Sequence, residues 1–218
     1  MHNFKNILFI GLSFSDAVTP HMWRIANFHK RIKNFLLFII ILVMGGLAFS
    51  FYCNSIKLKV LEYISVEIVW TVIPAISLIF IGFPSLRILY QEFPDYNCSK
   101  IIKVFGHQWY WSYRKSFELE DFDSFMNKEP TSFRCLDVDN SFLLKVLEPV
   151  RFLISSADVI HSFALPNFGL KVDAIPGRIK ESFSFPLYLG KFFGQCSEIC
   201  GANHSFMPIS VEVVGLIV

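Results

Sequence analysis

Hydrophobic positions follow two different patterns along the chain. Residues 34–56 and residues 68–86 form two long apolar runs without a charged side chain. About 20 apolar residues span a bilayer as a helix, so both runs predict transmembrane helices. Pro74 and Pro84 are compatible with this because neighbouring helices can satisfy the freed backbone groups. We expect a helical hairpin with a loop near residues 53–62; the alternative is a buried hairpin in a soluble protein.

The pattern changes near residue 92. Short segments rich in Phe, Val and Ile, such as "KIIKVFGHQWYWSYR" and "PISVEVVGLIV", alternate with Pro, Gly, Asp and Asn. No long apolar stripe with a period of 3.6 residues follows, which indicates an all-β sandwich. We therefore divide the chain into a leader (1–33), a transmembrane hairpin (34–91) and a β-sandwich (92–218).

Composition and charge support this division. The 218 residues are 53% hydrophobic, which is high for a soluble domain, and the net charge is +2. Residues 1–91 are basic and residues 92–218 are mildly acidic, so the second part could attract a basic partner. The first apolar run is too long and begins too far into the chain for a cleaved signal peptide. The leader is also a poor transit peptide.

The five cysteines do not suggest a disulfide framework. Cys53, Cys98 and Cys135 stand alone in the sequence. The other two lie in "GQCSEICGANHSFMP", residues 194–208, which concentrates groups that bind metals. Its candidate ligands are Cys196, Glu198, Cys200, His204 and Met207.

The donor types in this stretch favour copper. Thiolate, imidazole and thioether are soft ligands, and structural zinc sites have little use for Met. A mononuclear blue-copper site needs one Cys, two His and a weak Met. Here Cys196 and Cys200 exceed that requirement by one thiolate, and two thiolates can bridge two coppers. The stretch supplies only His204, so a second imidazole must come from elsewhere. His161 in "ADVIHSFALP" suits a strand end and is favoured over His107 in "GHQWYW".

Several motifs together resemble those of cytochrome c oxidase subunit II. They are the copper stretch, "ADVIHSFALP", "KVDAIPGR", "GHQWYWSY" and "WTVIPAISLIFIGFPSLRILY". The resemblance implies a cupredoxin-like sandwich that carries a binuclear copper A centre. It implies bridging thiolates from Cys196 and Cys200, with His161 and Met207 completing one copper. His204 and the backbone carbonyl of Glu198 would complete the other. The Glu198 carboxylate would reach a magnesium ion shared with subunit I.

The resemblance also implies a route for electrons and a docking partner. Trp109 would accept electrons from cytochrome c, although the residues alone favour aromatic packing, the role we give Trp111. Acidic residues would steer a basic cytochrome to its docking surface. The alternative is that these residues belong to an ordinary solvated loop. The candidates are Glu118, Glu120, Asp121, Asp123 and Asp158. Arg114 and Lys115 stand where the family often has an acid.

Glu67 is a candidate entrance to a proton path, or a carboxylate favoured by a helix dipole. The expected function is electron transfer from cytochrome c, through the copper centre, to haem in subunit I, for oxygen reduction coupled to proton pumping. The chain would not be catalytic alone. The alternative is a membrane-anchored copper chaperone. Expected partners are cytochrome c, subunit I with the rest of the complex, and the lipid membrane, with no nucleic acid.

The resemblance also implies a location. We expect the mitochondrial inner membrane, two spans, and the carboxyl-terminal domain in the intermembrane space. Lysines and arginines flanking the spans would by themselves place that domain on the opposite side. We give more weight to the need for the copper domain to meet a soluble cytochrome.

Overall fold

The computed structural model describes residues 14–53, 62–91, 98, 100–115, 121–129 and 133–215. The chain forms two compact units. One is Ile25–Tyr90, and the other joins Met1–Arg24 with Gln91–Val218.

Two long helices account for the apolar runs. Helix α1 is Pro20–Tyr52 and helix α2 is Ile64–Tyr90. Both are long and apolar enough to cross a membrane, and their most apolar stretches are not covered by other parts of the protein. Such continuous exposed apolar surface requires lipid or partner subunits around it. The helical hairpin predicted from the sequence is thus present.

Helix α1 begins well before the uncharged run that follows Lys33. Thr19 explains the start, because its hydroxyl oxygen accepts a hydrogen bond from the backbone N–H of Met22 at 3.1 Å. Pro20 then occupies the first helical position, where its missing N–H costs no hydrogen bond. Helix α2 continues through Pro74 and Pro84.

The segment before α1 packs on the sandwich. The backbone N–H of Val18 donates to the carbonyl of Asn167 at 2.9 Å, and the N–H of Leu187 donates to the carbonyl of Val18 at 2.9 Å. The Thr19 hydroxyl donates to the carbonyl of Phe168 at 2.7 Å. Val18 and Thr19 are buried, so part of the predicted leader belongs structurally to the sandwich unit.

Ten strands build the sandwich in the part of the chain that the structure describes. They are β1 (Lys100–His107), β2 (Tyr110–Lys115), β3 (Phe122–Ser124), β4 (Phe142–Lys145), β5 (Val150–Ser156), β6 (His161–Leu165), β7 (Leu170–Ala174), β8 (Lys180–Ser184), β9 (Gly190–Gln195) and β10 (Pro208–Val214). Two short 3-10 helices, η1 (Pro166–Phe168) and η2 (His204–Phe206), lie between strands.

The strands form three sheets. Their orders are β3-β2-β1-β5-β8, β4-β10-β9 and β6-β7. Strand β1 is parallel to β5, and β4 is parallel to β10, while the other pairs are antiparallel. Parallel neighbours need crossover connections, so the chain passes repeatedly between sheets. This brings the start of β6 close to the β9–β10 connection.

An aromatic core holds the sheets together. Trp111, Tyr113, Phe142, Phe152 and Phe163 are at most 1% exposed. The rings meet mostly edge-on or tilted, the arrangements that the aromatic quadrupole favours. Alternating apolar residues point into this core, and the sandwich predicted from the sequence is confirmed.

Candidate metal centre

The β9–β10 connection carries most of the candidate ligands. Gln195 pairs with Pro208 in the antiparallel ladder, so residues 196–207 form a loop closed at its base. We call this connection the metal loop. Cys196 follows β9 directly, η2 carries His204, and Met207 directly precedes β10. Both ends of the loop are therefore held by a paired sheet.

His161 joins the loop from a different part of the chain. It is the first residue of β6, and the backbone N–H of Ser197 donates to the carbonyl of Ser162 at 3.0 Å. This bond fastens the metal loop beside the end of β6. Among the described residues, the His, Cys, Asp and Glu donors that all lie within 4.8 Å of one another are those of His161, Cys196 and Cys200.

The donor atoms are spaced as around a small metal ion. The Cys196 and Cys200 sulfurs are 4.0 Å apart, and Cys196 Sγ lies 3.9 Å from His161 Nδ1. Cys200 Sγ lies 3.6 Å from His204 Nδ1 and 3.5 Å from Met207 Sδ. Metal–ligand bonds of about 2.0–2.3 Å in a tetrahedron give donor separations of roughly 3.3–3.8 Å, and the observed separations of 3.5–4.0 Å lie in or just above this range. The residues present therefore fit a soft metal.

Burial excludes water from four of these side chains, while His204 is half-buried. His161 is fully buried, Met207 is 1% exposed, Cys200 is 4% exposed and Cys196 is 7% exposed. A buried group of thiols and imidazoles has a high cost unless its polar atoms find partners. A bound cation would supply that partner and deprotonate the thiols.

The two thiols have opposite electrostatic environments. Burial raises the pKa of Cys196, but hydrogen bonds from His161, from backbone groups and from His204 outweigh burial and lower that pKa. Burial and the neighbouring Cys196 sulfur raise the pKa of Cys200. Without a metal, the site thus favours one thiolate and resists a second, because two like charges repel at this distance.

Asp158 orients the His161 ring. Nε2 of His161 and Oδ1 of Asp158 are 2.8 Å apart, which leaves Nδ1 facing Cys196. Burial opposes a rise in the pKa of His161, but the hydrogen bonds to Cys196 and Asp158 raise it. A carboxylate on the second nitrogen fixes the tautomer and orientation of a metal-binding imidazole. This contact gives Asp158 a structural place beside the site, in addition to the docking role proposed for it.

The His161 ring lies directly over Gly106 of β1. A Cβ atom at Gly106 would be 2.8 Å from His161 Cδ2, closer than carbon atoms pack. Glycine is therefore required here by close approach. His107, the other candidate imidazole, instead lies 3.0 Å from the hydroxyl of Ser112 and stacks on Tyr110 at 4.5 Å between ring centroids.

Trp111 supports the metal loop from inside the core. It is fully buried, and its indole N–H donates to the carbonyl of Met207 at 3.2 Å. Its ring meets His161 at an interplanar angle of 62°. Sequence reasoning assigned Trp111 to packing and missed these two contacts. No short sequence pattern predicts these contacts, because Trp111 and Met207 are 96 positions apart.

The remaining predicted site residues lie as follows. The Glu198 carbonyl oxygen is 3.3 Å from Cys196 Sγ. Trp109 is partly buried and packs against the core. Asp121 is paired with Arg114, and Asp123 is exposed. Glu67 lies in the first turn of α2. Glu118 and Glu120 are outside the described residues.

Comparisons with known proteins agree with this site and fold. Residues 100–214 match the family described as cytochrome c oxidase subunit II, periplasmic domain, and residues 8–88 match its transmembrane domain. A curated relative, cytochrome c oxidase subunit 2 of Rhipicephalus sanguineus, is 46% identical over 209 residues, which are 94% of this chain and 93% of the relative.

Solved structures show the same similarity in the sandwich. The periplasmic domain of subunit II of cytochrome oxidase from Bradyrhizobium japonicum is 45% identical, with a TM-score of 0.53. The match covers 56% of this chain and 88% of that domain. A subunit II domain in mixed disulfide with a thioredoxin-like protein is 44% identical, with a TM-score of 0.50, over 57% of this chain and 87% of that one.

These matches cover both the hairpin and the sandwich, and the His161, Cys196 and Cys200 cluster is compatible with a copper A site. The expected membrane hairpin, cupredoxin-like sandwich and role as an oxidoreductase subunit are confirmed. The chain belongs to the cytochrome c oxidase subunit II family, and is therefore a membrane-spanning subunit of a haem–copper oxidase complex.

Proposed function

We propose that this chain accepts electrons from cytochrome c at a binuclear copper A centre and passes them to haem in subunit I. The observation that carries the proposal is the convergence of two cysteine sulfurs, 4.0 Å apart, with imidazole, thioether and carbonyl donors. One copper would leave part of this donor set unused. Two coppers would use all of it, with Cys196 and Cys200 holding both ions.

The other four donors complete the two ions. His161 and Met207 would serve one copper, and His204 with the Glu198 carbonyl would serve the other. When bound, the pair would supply a one-electron carrier whose unpaired electron is shared by both ions.

The surrounding chain keeps the donors from moving during electron transfer. Trp111 holds the carbonyl of Met207, and Ser162 holds the backbone N–H of Ser197. Within the loop, the N–H of His204 donates to the carbonyl of Gly201 at 3.2 Å. A preorganised, water-excluded site needs little rearrangement when its charge changes, which favours fast transfer.

Trp109 is the proposed acceptor on the side of cytochrome c. It is partly buried against the core and immediately precedes β2, and its ring lies against Gly201 of the metal loop. A partly buried aromatic ring beside the metal ligands can shorten the gap between an external haem and the metal centre.

The docking surface would be acidic, to steer a basic cytochrome. Asp123 is exposed, and the Asp158 side chain is 32% exposed. Glu118, Glu120 and Asp121 are further candidates. Asp121 is ion-paired with Arg114, so its charge is partly compensated within the chain.

Three further assignments belong to the proposal. The Glu198 carboxylate would bind magnesium at the contact with subunit I, since a hard cation prefers oxygen ligands. Glu67, in the first turn of α2, would stand at the entrance of a proton path. The chain would reside in the mitochondrial inner membrane, with the sandwich in the intermembrane space.

The copper-chaperone alternative is not favoured. A carrier that hands its metal to another protein needs exposed, exchangeable ligands. Here His161, Cys196, Cys200 and Met207 are at most 7% exposed and are held by paired strands. Such burial suits a resident metal.

Copper stoichiometry with electron paramagnetic resonance on the full-length chain in detergent tests the proposal. We expect two coppers per chain and one unpaired electron delocalised over both. Its paramagnetic signal should show hyperfine coupling to both copper nuclei. Cys196→Ser or Cys200→Ser should abolish this signal. A single copper with mononuclear splitting, or preferential binding of zinc, would contradict the binuclear centre.

A further inference from the structure

The residue before Trp109 is fastened to the metal site at two points. The side-chain amide of Gln108 donates from Nε2 to the carbonyl of Cys200 at 2.8 Å. The backbone N–H of Gln108 donates to Asp158 Oδ2 at 2.6 Å, and the other Asp158 oxygen contacts His161. One residue thus joins the β1–β2 turn both to the metal loop and to the carboxylate that orients a ligand.

Trp109 is pressed against the metal loop beside these bonds. A Cβ atom at Gly201 would lie 3.0 Å from Trp109 Cζ2, 3.2 Å from Trp109 Nε1 and 3.2 Å from Gln108 Nε2. The indole and the Gln108 amide therefore cover the same backbone, directly after Cys200. Gly201 has a φ of +125°, so the close contact and the backbone conformation both require glycine.

The hydrogen bond between Gln108 and Cys200 contributes more to the relative position of the β1–β2 turn and the metal loop than to the stability of the domain. Gln108 is exposed, and a neutral hydrogen bond that competes with water adds little to the stability of a folded domain. The bond nevertheless sets the distance between two loops that are 92 positions apart in the chain. Because Gln108 is exposed, this hydrogen bond can be removed without creating a cavity in the core.

We propose that Gln108 is a positioning residue for electron acceptance, because its amide holds the Trp109 ring against the Cys200–Gly201 peptide. The inference rests on the proposed role of Trp109 as the electron acceptor. Electron transfer slows steeply as the gap between donor and acceptor widens, and small misplacements of a reacting group carry large rate costs. Without the amide, the turn keeps its backbone bond to Asp158 and its pairing within the sheet, but it loses this hydrogen bond to the metal loop, and the ring can move outward.

The test compares Gln108→Met with the unchanged chain in the assembled oxidase. Methionine keeps the length and neutrality of the side chain but cannot donate to the Cys200 carbonyl. We expect the rate of copper reduction by saturating cytochrome c to fall about fivefold, the order of effect that one lost hydrogen bond has on an equilibrium. The KM for cytochrome c, the copper paramagnetic spectrum and reduction by a small diffusible reductant should not change.

A matched control removes the same kind of bond elsewhere. The Asn167 side-chain amide donates to the carbonyl of Asp16 at 3.1 Å, in the same unit but between η1 and the segment before α1. Asn167→Leu should leave reduction by cytochrome c unchanged. If it slows reduction as much as Gln108→Met does, the effect is general loosening and the inference is overturned.

The other outcomes are equally decisive. Unchanged reduction in Gln108→Met overturns the positioning role. Loss of copper, an altered spectrum or equal slowing with the small reductant also overturns it, because Gln108 would then support the metal ligands. Trp109→Phe separates the two proposals. If Trp109→Phe slows reduction and Gln108→Met does not, only this inference fails; if Trp109→Phe has no effect, the proposed acceptor role fails first.

Discussion

Asp158 and His161 form a carboxylate–imidazole pair in which Oδ1 and Nε2 are 2.8 Å apart and Nδ1 is left facing Cys196. The imidazole is fully buried, while the carboxylate stays partly exposed. The pair therefore connects a buried candidate metal ligand to the protein surface. Because a carboxylate makes its imidazole partner a stronger donor, the pair bears on the properties of any bound copper.

Asp158→Asn should raise the reduction potential of the copper centre. The amide preserves the shape of the side chain but removes a negative charge that stabilises the more positive, oxidised state. Metal affinity should also fall by about tenfold or more. Redox titration followed by absorbance measures the first effect, and copper competition with a chelator measures the second.

Asp139→Asn is the matched control for that experiment. Asp139 also accepts backbone hydrogen bonds, from Phe125 at 2.8 Å and Asn140 at 2.7 Å, but within the described part of the chain it makes no hydrogen bond to the candidate ligands. Its replacement should leave the potential unchanged. Equal potentials in Asp158→Asn and the unchanged chain would show that the pair does not influence the metal.

Gly106→Ala should damage the metal site while leaving most of the fold intact. The added Cβ would stand 2.8 Å from His161 Cδ2, so the ring or strand β1 must move. Overpacking of this kind costs about 1–3 kcal/mol, which a domain of this size can survive. We expect reduced copper content or an altered paramagnetic spectrum, with far-ultraviolet circular dichroism unchanged.

Gly215→Ala provides the comparison for Gly106. A Cβ atom there would meet nothing within 4 Å. The Gly215→Ala variant should therefore bind copper normally. Normal copper binding and an unaltered spectrum in Gly106→Ala would refute the claim that His161 requires glycine beneath its ring.

Much of the site could be predicted because the metal loop is local in sequence. Cys196, Cys200, His204 and Met207 lie within one strand connection, so their closeness in sequence indicates a metal site and their donor types indicate a soft metal. The choice of His161 over His107 was less secure, because both end apolar segments. The strand order adds independent support for His161, because it brings β6 beside the metal loop.

Contacts between distant parts of the chain were not predictable. Gln108 and Cys200 are 92 positions apart, and nothing in "GHQWYW" distinguishes a residue that hydrogen-bonds to the metal loop from an ordinary turn residue. The start of α1 at Pro20 was also missed, because the predicted hairpin begins directly after the last charged residue before the apolar run, Lys33. The helix extends beyond the uncharged run because Thr19 caps its first turn and packs on the sandwich.

The ion pair between Lys191 and Asp137 should make the stability of the sandwich depend on pH. Nζ of Lys191 lies 2.6 Å from Asp137 Oδ1, and this hydrogen bond lowers the pKa of Asp137 below its usual value. A carboxyl with a lowered pKa stabilises the fold above its unfolded pKa of about 3.9, and the stabilisation is lost as pH falls through the folded pKa.

Lys191→Met should remove that contribution, roughly 0.5–1 kcal/mol for a pair that is only partly buried. Thermal unfolding of the metal-free full-length chain, measured from about pH 7 down to about pH 2, compares the two proteins. Their unfolding temperatures should differ at neutral pH and converge in acid. Lys145→Met, at an exposed position on β4, is the control. A constant difference across the range would mean that Lys191 acts through packing on Phe193, not through Asp137.

Arg114 and Asp121 should have opposite effects on the association with cytochrome c. The guanidinium binds both carboxylate oxygens of Asp121, and the hydrogen bond to Arg114 lowers the pKa of that carboxyl. The pair is close to neutral from outside, so Asp121 attracts a basic partner less than a free acid would. Asp121→Asn exposes an uncompensated Arg114, whereas Arg114→Gln exposes an uncompensated Asp121.

We therefore expect Asp121→Asn to slow association and Arg114→Gln to accelerate it, each by about threefold at low ionic strength. Both effects should shrink as salt is raised, because exposed charges are screened over about 10 Å at 0.1 M. Stopped-flow association across a salt series measures this. The double variant should behave like the unchanged chain, since both local charges are then absent. Slowing by both single variants would instead indicate that the ion pair maintains the shape of the β2–β3 region and that its charge does not steer the cytochrome.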